Sequence, residues 1–361
     1  MTALLEVHDL QVEIPLPHGN LQAVRGVSLT VDPGQAIGIV GESGSGKSIT
    51  LRALLGLLPQ PARLTGGTII LDGVDISGLS EKKRRQHITE LVSMVSQDSL
   101  TALNPVMRVG EQIAEVPRYR LGMSKSAAHA RAVELMDQVG IPEPERRYRA
   151  YPHELSGGMR QRVCIAIALS AEPRLILADE PTTALDVTIQ AQVLELIDGL
   201  RRTQHLGMVL VSHDLAVISQ TCSRVYVMYA GRVVESGAIA GILALPRHPY
   251  TFALLRSVPD PDVPVHRLLT IPGQPPDLTT APSGCAFAPR CRFAEPACLE
   301  EDPPLLEVGE EPGHRAACIR HETAPHWIEW THADAPAVSA APEALHADRP
   351  TPAVRLLESR Q

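Results

Sequence analysis

Aromatic residues are scarce in this chain of 361 residues, which has three Phe, two Trp and six Tyr. The first of them is Tyr119, so no Phe, Tyr or Trp stands before that position. Long apolar runs are missing too, since none approaches the roughly 18 residues that span a bilayer. The N-terminus also lacks the basic region and apolar core of a secretory signal. We therefore expect a cytosolic chain, and any membrane role must come through a partner.

An excess of basic residues is also missing. Lys and Arg total 33 against 41 Asp and Glu, which gives a formal charge of −8. This charge argues against a nucleic-acid-binding protein, because such proteins usually carry a basic face. Hydrophobic residues at 44% and charged residues at 20% exclude wholesale disorder. Disulfides are not expected among the six cysteines of a cytosolic protein.

The order of periodic segments predicts an α/β fold. Residues 4–14 and 27–31 alternate apolar and polar residues, as half-buried strands do, with a turn expected at Gly19-Asn20. Residues 36–40 form a wholly apolar run that leads into glycines, which is typical of a strand buried in a parallel sheet. Strand and helix patterns then alternate at 175–178, 187–201, 208–211, 215–219 and 225–229. We therefore predict a parallel-sheet core preceded by an antiparallel β subdomain.

Three further segments differ from this core in composition. Strand patterns vanish between about residues 98 and 170, where apolar residues recur at helical spacing, and we expect a helical subdomain there. Proline is dense and four cysteines gather at 259–321, which predicts a small C-terminal extension to a main domain at 1–258. Residues 322–361 are rich in Ala, Pro, Glu and His without periodicity, which predicts a disordered tail.

A glycine-rich loop follows the buried strand at 36–40. Its sequence GESGSGKS fits the phosphate-loop pattern G-x-x-x-x-G-K-[ST] between a strand and a helix. Backbone N–H groups of such a loop turn toward phosphate oxygens at a helix N-terminus, whose dipole favours anions. Lys47 would reach the β- and γ-phosphates and Ser48 would bind Mg²⁺, whereas a plain Gly/Ser turn before a lysine is the alternative. The predicted ATP-binding residues are Gly41, Ser43, Gly44, Ser45, Gly46, Lys47, Ser48 and Ile49.

Two adjacent carboxylates follow the apolar run at 175–178. Side chains diverge at a strand end, so Asp179 can hold Mg²⁺ through a water while Glu180 faces the γ-phosphate and polarises the attacking water. Acidic residues after a strand are common. In a chain that also has a phosphate loop, the pair predicts a site of ATP hydrolysis.

A second glycine-rich helix start has the sequence LSGGM, formed by Leu155, Ser156, Gly157, Gly158 and Met159. Ser156 and the Gly158 N–H could bind phosphate, or Ser156 could simply cap the helix that follows. Because the chain already has a phosphate loop, the second helix start suggests a site shared between two chains.

Together these motifs resemble the nucleotide-binding subunit of an ATP-binding-cassette (ABC) transporter, over about residues 4–258. The implied fold is a P-loop NTPase of the ABC type, with the segment 155–159 as its signature motif. The resemblance implies three catalytic residues. Glu180 would be the hydrolytic base, His213 the switch histidine and Gln97 the Q-loop glutamine. It also implies that Asp186 is the D-loop aspartate and that Ser48, Gln97 and Asp179 are the Mg²⁺ ligands.

The resemblance also implies partners and a mechanism. Two ATPase chains, the second expected to be a paralogue, close head to tail around ATP and open after hydrolysis. Two transmembrane permease subunits receive this motion, an extracytoplasmic binding protein delivers the substrate, and the ATPase lies peripherally on the cytoplasmic side of the inner membrane.

Two rival functions are less well supported. A soluble cassette ATPase that acts on nucleic acid or ribosomes generally has a long coiled coil, a second cassette or basic segments, and this sequence has none of them. An ATP-independent scaffold is disfavoured because both Glu180 and His213 are present.

One position departs from the family pattern. Family members usually stack adenine on an aromatic ring shortly before the phosphate-loop strand, where this chain has Ile14, with His18 nearby. We expect apolar contact to hold the adenine instead, with weaker selection of the base.

Other details resemble the ATPases of peptide importers, a group that includes dipeptide, oligopeptide, nickel and glutathione systems. They are the sequence LNPV at 103–106, Met159 in the signature, HPYTFALL at 248–255 and the cysteine-bearing extension. The resemblance implies import of di- or oligopeptides, with nickel or glutathione as alternative substrates.

The four cysteines of the extension are Cys285, Cys291, Cys298 and Cys318. Their spacing fits neither the C-x₂-C pairs of common zinc sites nor the compact ferredoxin pattern. Four thiolates in a segment with little apolar surface suit a tetrahedral sulfur site that stabilises the segment. Spacing alone leaves the metal open. The family resemblance favours a structural [4Fe-4S] cluster, and zinc or unliganded thiols are the alternatives, while Cys164 and Cys222 are expected to be packing residues.

Overall fold

The computed structural model describes residues 2–182, 186–257, 271–280 and 282–324, without the side chains at 99, 100 and 187. The chain divides into two units. Unit 1 consists of Met1–Glu6, Thr30–Ala36 and Ile69–Val211, and unit 2 consists of Val7–Leu29, Ile37–Thr68 and Ser212–Gln361. The expected tail at 322–361 lies outside the described residues from position 325 onward.

The strands of the described ranges are β1 (Leu5–Leu16), β2 (Gly19–Val31), β3 (Ala36–Val40), β4 (Arg63–Leu71), β5 (Val74–Asp75), β6 (Val92–Val95), β7 (Leu175–Asp179), β8 (Gly207–Ser212), β9 (Arg224–Tyr229), β10 (Arg232–Ala238), β11 (Leu306–Glu307) and β12 (Arg315–Ala316). The helices are α1 (Lys47–Leu54), α2 (Glu81–Leu91), α3 (Ser99–Ala102), α4 (Val109–Tyr119), α5 (Lys125–Gln138), α6 (Pro144–Arg147), α7 (Gly157–Ser170), α8 (Val187–Gln204), α9 (Leu215–Thr221), α10 (Ile239–Ala244), α11 (Pro249–Arg256) and α12 (Ala297–Glu300). Single 3₁₀ turns lie at Pro152–Glu154 and Ala288–Arg290.

The turn between β1 and β2 differs from the sequence prediction. It lies at Pro17-His18, and Gly19 and Asn20 already belong to β2. Proline presets the backbone angle that the second position of a tight turn needs. The chain therefore reverses at Pro17 rather than at the glycine.

Unit 1 contains a parallel part of the sheet in which β7 lies between β6 and β8. Leu177 of β7 is in register with Met94 on one side and Val209 on the other. Every residue of β7 and β8 is buried, as the apolar runs at 175–178 and 208–211 indicate. The strand β7 ends at Asp179, so the two predicted carboxylates come at a carboxyl end, which is where ligands bind in open α/β sheets. In the same unit β4 and β5 form an antiparallel hairpin.

The segment 98–170 of unit 1 contains α3 to α7 and no strand, as its helical spacing predicts. The helix α4 packs against α5 and α7. Ser124 caps the start of α5, where its Oγ accepts a hydrogen bond from the Ala127 N–H at 3.2 Å. The chain leaves that helix through Gly140, whose φ is 72°, the left-handed conformation that ends many helices.

Unit 2 contains β3 and β9 as parallel neighbours and β10 antiparallel to β9. The cysteine-bearing extension adds β12 beside β10 and β11 beside β12. It therefore continues the sheet whose strand β3 leads into the phosphate loop. The parts of β1, β2 and β4 in this unit form a second sheet with β1 between the other two. No helix in the described ranges of the chain is both long and apolar enough to cross a bilayer.

Candidate active site

The phosphate loop connects β3 to α1 in unit 2. Gly46, just before α1, has a φ of 100°, which L side chains rarely adopt. A Cβ at this position would lie 2.6 Å from the carbonyl oxygen of Ala23, so only glycine fits. A Cβ at Gly44 would meet no heavy atom within 4 Å, so the loop is open on that side. The loop thus combines a position that requires glycine with an open face, which suits the predicted phosphate binding.

Lys47 reaches back over this loop from the start of α1. Its side chain is buried, and its ammonium donates hydrogen bonds to the carbonyl oxygens of Gly41 at 2.8 Å and Glu42 at 2.9 Å. Ser48 follows it and is half-buried. A serine hydroxyl is among the oxygen ligands that Mg²⁺ accepts, so the donor chemistry at Ser48 fits the predicted metal.

The predicted carboxylates and the Q-loop glutamine belong to unit 1. Asp179 is buried at 4% exposure. Glu180 has a φ of 44°, a strained value for a residue other than glycine and one that is common at functional sites. Its N–H donates to the carbonyl oxygen of Val211 at 3.0 Å. The Gln97 Nε2 donates to the Glu180 Oε2 at 3.3 Å. The fold therefore brings together two predicted catalytic side chains that lie 83 positions apart.

The second glycine-rich helix start and the D-loop aspartate both cap helices in unit 1. The Ser156 Oγ accepts from the Met159 N–H at 3.3 Å at the start of α7, and the side chain remains exposed. The Asp186 carboxylate accepts from the Ile189 N–H at 2.9 Å at the start of α8, while residues 183–185 lie outside the described ranges. Because a hydroxyl has a second lone pair and a proton, capping by Ser156 does not exclude contact with a phosphate.

His213 and the residues expected near adenine belong to unit 2. His213 is exposed and comes directly after β8. Asp214 then begins α9 by accepting from the Ala216 N–H at 2.7 Å. Ile14 near the end of β1 is half-buried, and His18 is exposed in the turn that follows.

The four cysteines of the extension line one cavity in unit 2. Cys298 is buried and the other three are half-buried. Burial raises the pKa of Cys285, and it raises the pKa values of Cys291 and Cys318 to about 12. A metal that binds these thiols must therefore displace their protons. Among the described residues, no group of three or more His, Cys, Asp and Glu side chains is arranged to hold a metal ion.

Sequence reasoning missed two residues that contact the phosphate loop from outside the nucleotide motifs. The Arg290 guanidinium lies 2.6 Å from the Glu42 carboxylate, and the Tyr250 hydroxyl accepts from the Glu42 N–H at 2.7 Å. Both residues stand in segments singled out above only for their family likeness. No signal within the phosphate loop itself indicates these contacts.

Comparison with known proteins agrees with this set of motifs. Residues 24–183 match the family model for ABC transporters, and residues 234–298 match the model for the C-terminal region of oligopeptide and dipeptide transporters. The oligopeptide transport ATP-binding protein OppD of Bacillus subtilis is 46% identical, over 96% of this chain and 94% of that protein. The dipeptide transport ATP-binding protein DppD of Lactococcus lactis is 47% identical, over 84% of this chain and 88% of that protein.

A solved structure shares the fold. It is a dimeric ATP-binding cassette in a post-hydrolysis state bound to ADP and Pi, with 27% identity and a TM-score of 0.58 over 65% of this chain and 98% of that one. From the phosphate loop, the paired carboxylates and these likenesses over most of the chain, we conclude that the chain belongs to the family of ATP-binding subunits of oligopeptide and dipeptide ABC transporters.

Proposed function

We propose that this chain is the ATP-hydrolysing subunit that powers import of di- or oligopeptides through separate permease subunits. The observation that carries the proposal is the likeness to peptide-transport ATPases along nearly the whole chain, including the C-terminal region. An extracytoplasmic binding protein would deliver the peptide, and the ATPase would act from the cytoplasmic face of the membrane.

In this proposal the phosphate loop and Lys47 bind the phosphates of ATP, while Ser48, Gln97 and Asp179 provide oxygen ligands for Mg²⁺. Glu180 takes the proton of a water whose oxygen attacks the γ-phosphorus. The bond from that phosphorus to the β–γ bridging oxygen breaks, and ADP and phosphate leave. The Gln97 amide holds the Glu180 carboxylate through its hydrogen bond, and His213 assists in orienting the water.

The second helix start completes the site of another chain in this proposal. Ser156 to Gly158 would contact ATP held by the phosphate loop of a partner ATPase, which is expected to be a paralogue. The support is that Ser156 is exposed at a helix N-terminus, where the helix dipole favours an anion.

Ser156→Arg tests this sharing. We expect it to abolish hydrolysis in the assembled transporter but to leave ATP binding by the isolated chain unchanged, because the bulky cation would block only the partner's nucleotide. Ser124→Arg is the matched control, since Ser124 caps α5 in the same unit in the same way. Equal loss of ATP affinity in the isolated Ser156→Arg chain would show that the site is built within one chain.

The transported substrate is tested by complementation. A strain that lacks this chain should regain uptake of labelled di- and oligopeptides when the chain is supplied, and should not regain it with Lys47→Ala. Restored uptake of nickel or glutathione without peptide uptake would favour the alternative importers of the same family.

We further propose that Cys285, Cys291, Cys298 and Cys318 hold a structural [4Fe-4S] cluster. The support is that all four sulfur donors line one cavity in a segment with few regular elements, and thiolates are the usual ligands of such clusters. When bound, the cluster would cross-link the four thiolates and stabilise the extension. Zinc is the alternative metal.

Cys298→Ser tests the cluster. Anaerobically purified protein should be brown with broad visible absorbance, and the substitution should bleach it and lower the thermal stability of the extension. Cys222→Ala is the control, because Cys222 is a buried cysteine of the same unit that does not line the cavity and its loss should keep the colour. Colourless protein that contains stoichiometric zinc would show that zinc and not the cluster is bound. Metal-free protein whose stability is unchanged in the variant would contradict both the cluster and the zinc site.

A further inference from the structure

Glu42, the second residue of the phosphate loop, is held through all three of its polar groups. Its N–H donates to the Tyr250 hydroxyl at 2.7 Å, and its carbonyl oxygen accepts from the Lys47 ammonium at 2.9 Å. Its carboxylate accepts two hydrogen bonds from the Arg290 guanidinium, at 2.6 and 3.0 Å. Two of the three groups are therefore fixed by residues outside the phosphate loop and α1.

The Arg290 guanidinium is itself fixed in place. Its side chain is 5% exposed, and its Nε donates to the carbonyl oxygen of Pro272 at 2.7 Å. A further hydrogen bond joins it to the Tyr229 hydroxyl at 3.2 Å. A buried arginine with its carboxylate partner in two-point contact is a strong and directional interaction. The Glu42 side chain thus has little freedom to move relative to the extension.

Aromatic rings surround this contact in a chain that has few of them. Tyr229, Tyr250 and Phe287 pack together with centroid distances of 4.6, 5.3 and 5.4 Å. The Arg290 guanidinium lies 5.7 Å from the Tyr229 ring and 5.9 Å from the Phe287 ring. Phe287 also lines the cavity of the four cysteines. The same cluster therefore contacts both the arginine and the cysteine site.

Tyr250, the second residue that contacts Glu42, is also held in place by a hydrogen bond. His248 caps the start of α11, where its Nδ1 accepts a hydrogen bond from the Tyr250 N–H at 3.0 Å. Burial lowers the pKa of His248 to about 3, so its ring is neutral at physiological pH and can accept this bond. The Tyr250 hydroxyl, which accepts from the Glu42 N–H, therefore belongs to a residue at the capped start of α11.

We infer that Arg290 is a positioning residue for ATP binding, which holds the phosphate loop in its binding conformation through Glu42. The cysteine-bearing extension thus contributes to nucleotide affinity although it supplies no nucleotide motif. The geometry gives the reason, because Lys47 donates to the carbonyl oxygen of Glu42 while Arg290 donates to its carboxylate. Two cationic side chains therefore hold the same loop residue. This inference rests on the proposed ATP-binding role of the loop.

The test compares Arg290→Ala with two other variants of the full chain. Displacement of a fluorescent ATP analogue should show roughly tenfold weaker ATP affinity, as expected for loss of a charge-assisted bidentate contact. In the assembled transporter KM for ATP should rise while kcat changes little. Arg290→Lys should restore part of the affinity, since it keeps the charge but not the two-point geometry. Arg315→Ala, which removes an exposed ion pair with Glu307 in the same extension, should bind ATP normally.

A double-mutant comparison separates the loop contact from loss of folding. Glu42→Gln should weaken ATP binding as Arg290→Ala does, and the double variant should be no weaker than either single one. Unchanged affinity in Glu42→Gln would overturn the inference even if Arg290→Ala failed to fold, and so would additive effects. Lys47→Ala provides the reference for the proposed function. If it binds ATP normally, the ATP site itself is wrong, whereas if it loses ATP while Arg290→Ala does not, only the positioning role is wrong.

Discussion

Glu180→Gln should lower steady-state ATP hydrolysis by the assembled transporter by about 10²- to 10⁴-fold, the usual contribution of a general base. ATP binding should persist, because the phosphate loop is in the other unit and is not altered. The amide keeps a carbonyl oxygen that can still accept the hydrogen bond from the Gln97 Nε2. Phosphate release and nucleotide titration on the same preparation measure the two effects separately.

Glu172→Gln is the matched control for this substitution. Glu172 is an exposed glutamate of the same unit that also has a positive φ, of 51°, and it forms a 3.7 Å ion pair with Arg131. Its substitution should leave hydrolysis unchanged. Near-normal turnover by Glu180→Gln, or an equal loss in the Glu172 variant, would remove Glu180 from the role of base.

Glu235→Ala should lower the free energy of unfolding by about 3–5 kcal/mol, because it removes the common acceptor of several hydrogen bonds in the interior, at about 1–3 kcal/mol for each donor left without a partner. Glu235 lies on β10 and is 0% exposed. Its carboxylate accepts from the N–H groups of Arg247 and His248 and from the Nε2 of His314, the last at 2.8 Å. Alanine would leave these three donors without this acceptor, two of them on the buried residues His248 and His314.

Urea denaturation followed by circular dichroism measures this loss. Glu307→Ala is the control, because Glu307 lies on β11 of the same sheet but is exposed and pairs with Arg315 at the surface. Its substitution should change stability by less than about 0.5 kcal/mol. Equal shifts of the two variants would show that the Glu235 network does not stabilise the extension against β10.

The nucleotide motifs could be predicted because each is continuous in sequence. Each motif lies at the end of its own strand or helix: the glycines of the phosphate loop follow β3, the two carboxylates stand at the end of β7, and Ser156 precedes α7. The turn expected at Gly19-Asn20 lies at Pro17-His18 instead, because glycine and proline both suit a turn and proline presets the backbone angle at its own position. The short strand β6 was not predicted, since its four residues are too few for a periodic pattern.

By itself, the sequence determined the family and the fold class, and it predicts the residues of the ATP motifs, because each motif and its backbone geometry depend on neighbouring residues. The tertiary structure alone decided that the extension continues the sheet of unit 2 and that Arg290 reaches Glu42 across 248 positions. It likewise decided that Glu235 meets His314 across 79 positions and that four widely spaced cysteines line one cavity. Such contacts depend on which surfaces pack together, and no pattern within either segment encodes its distant partner.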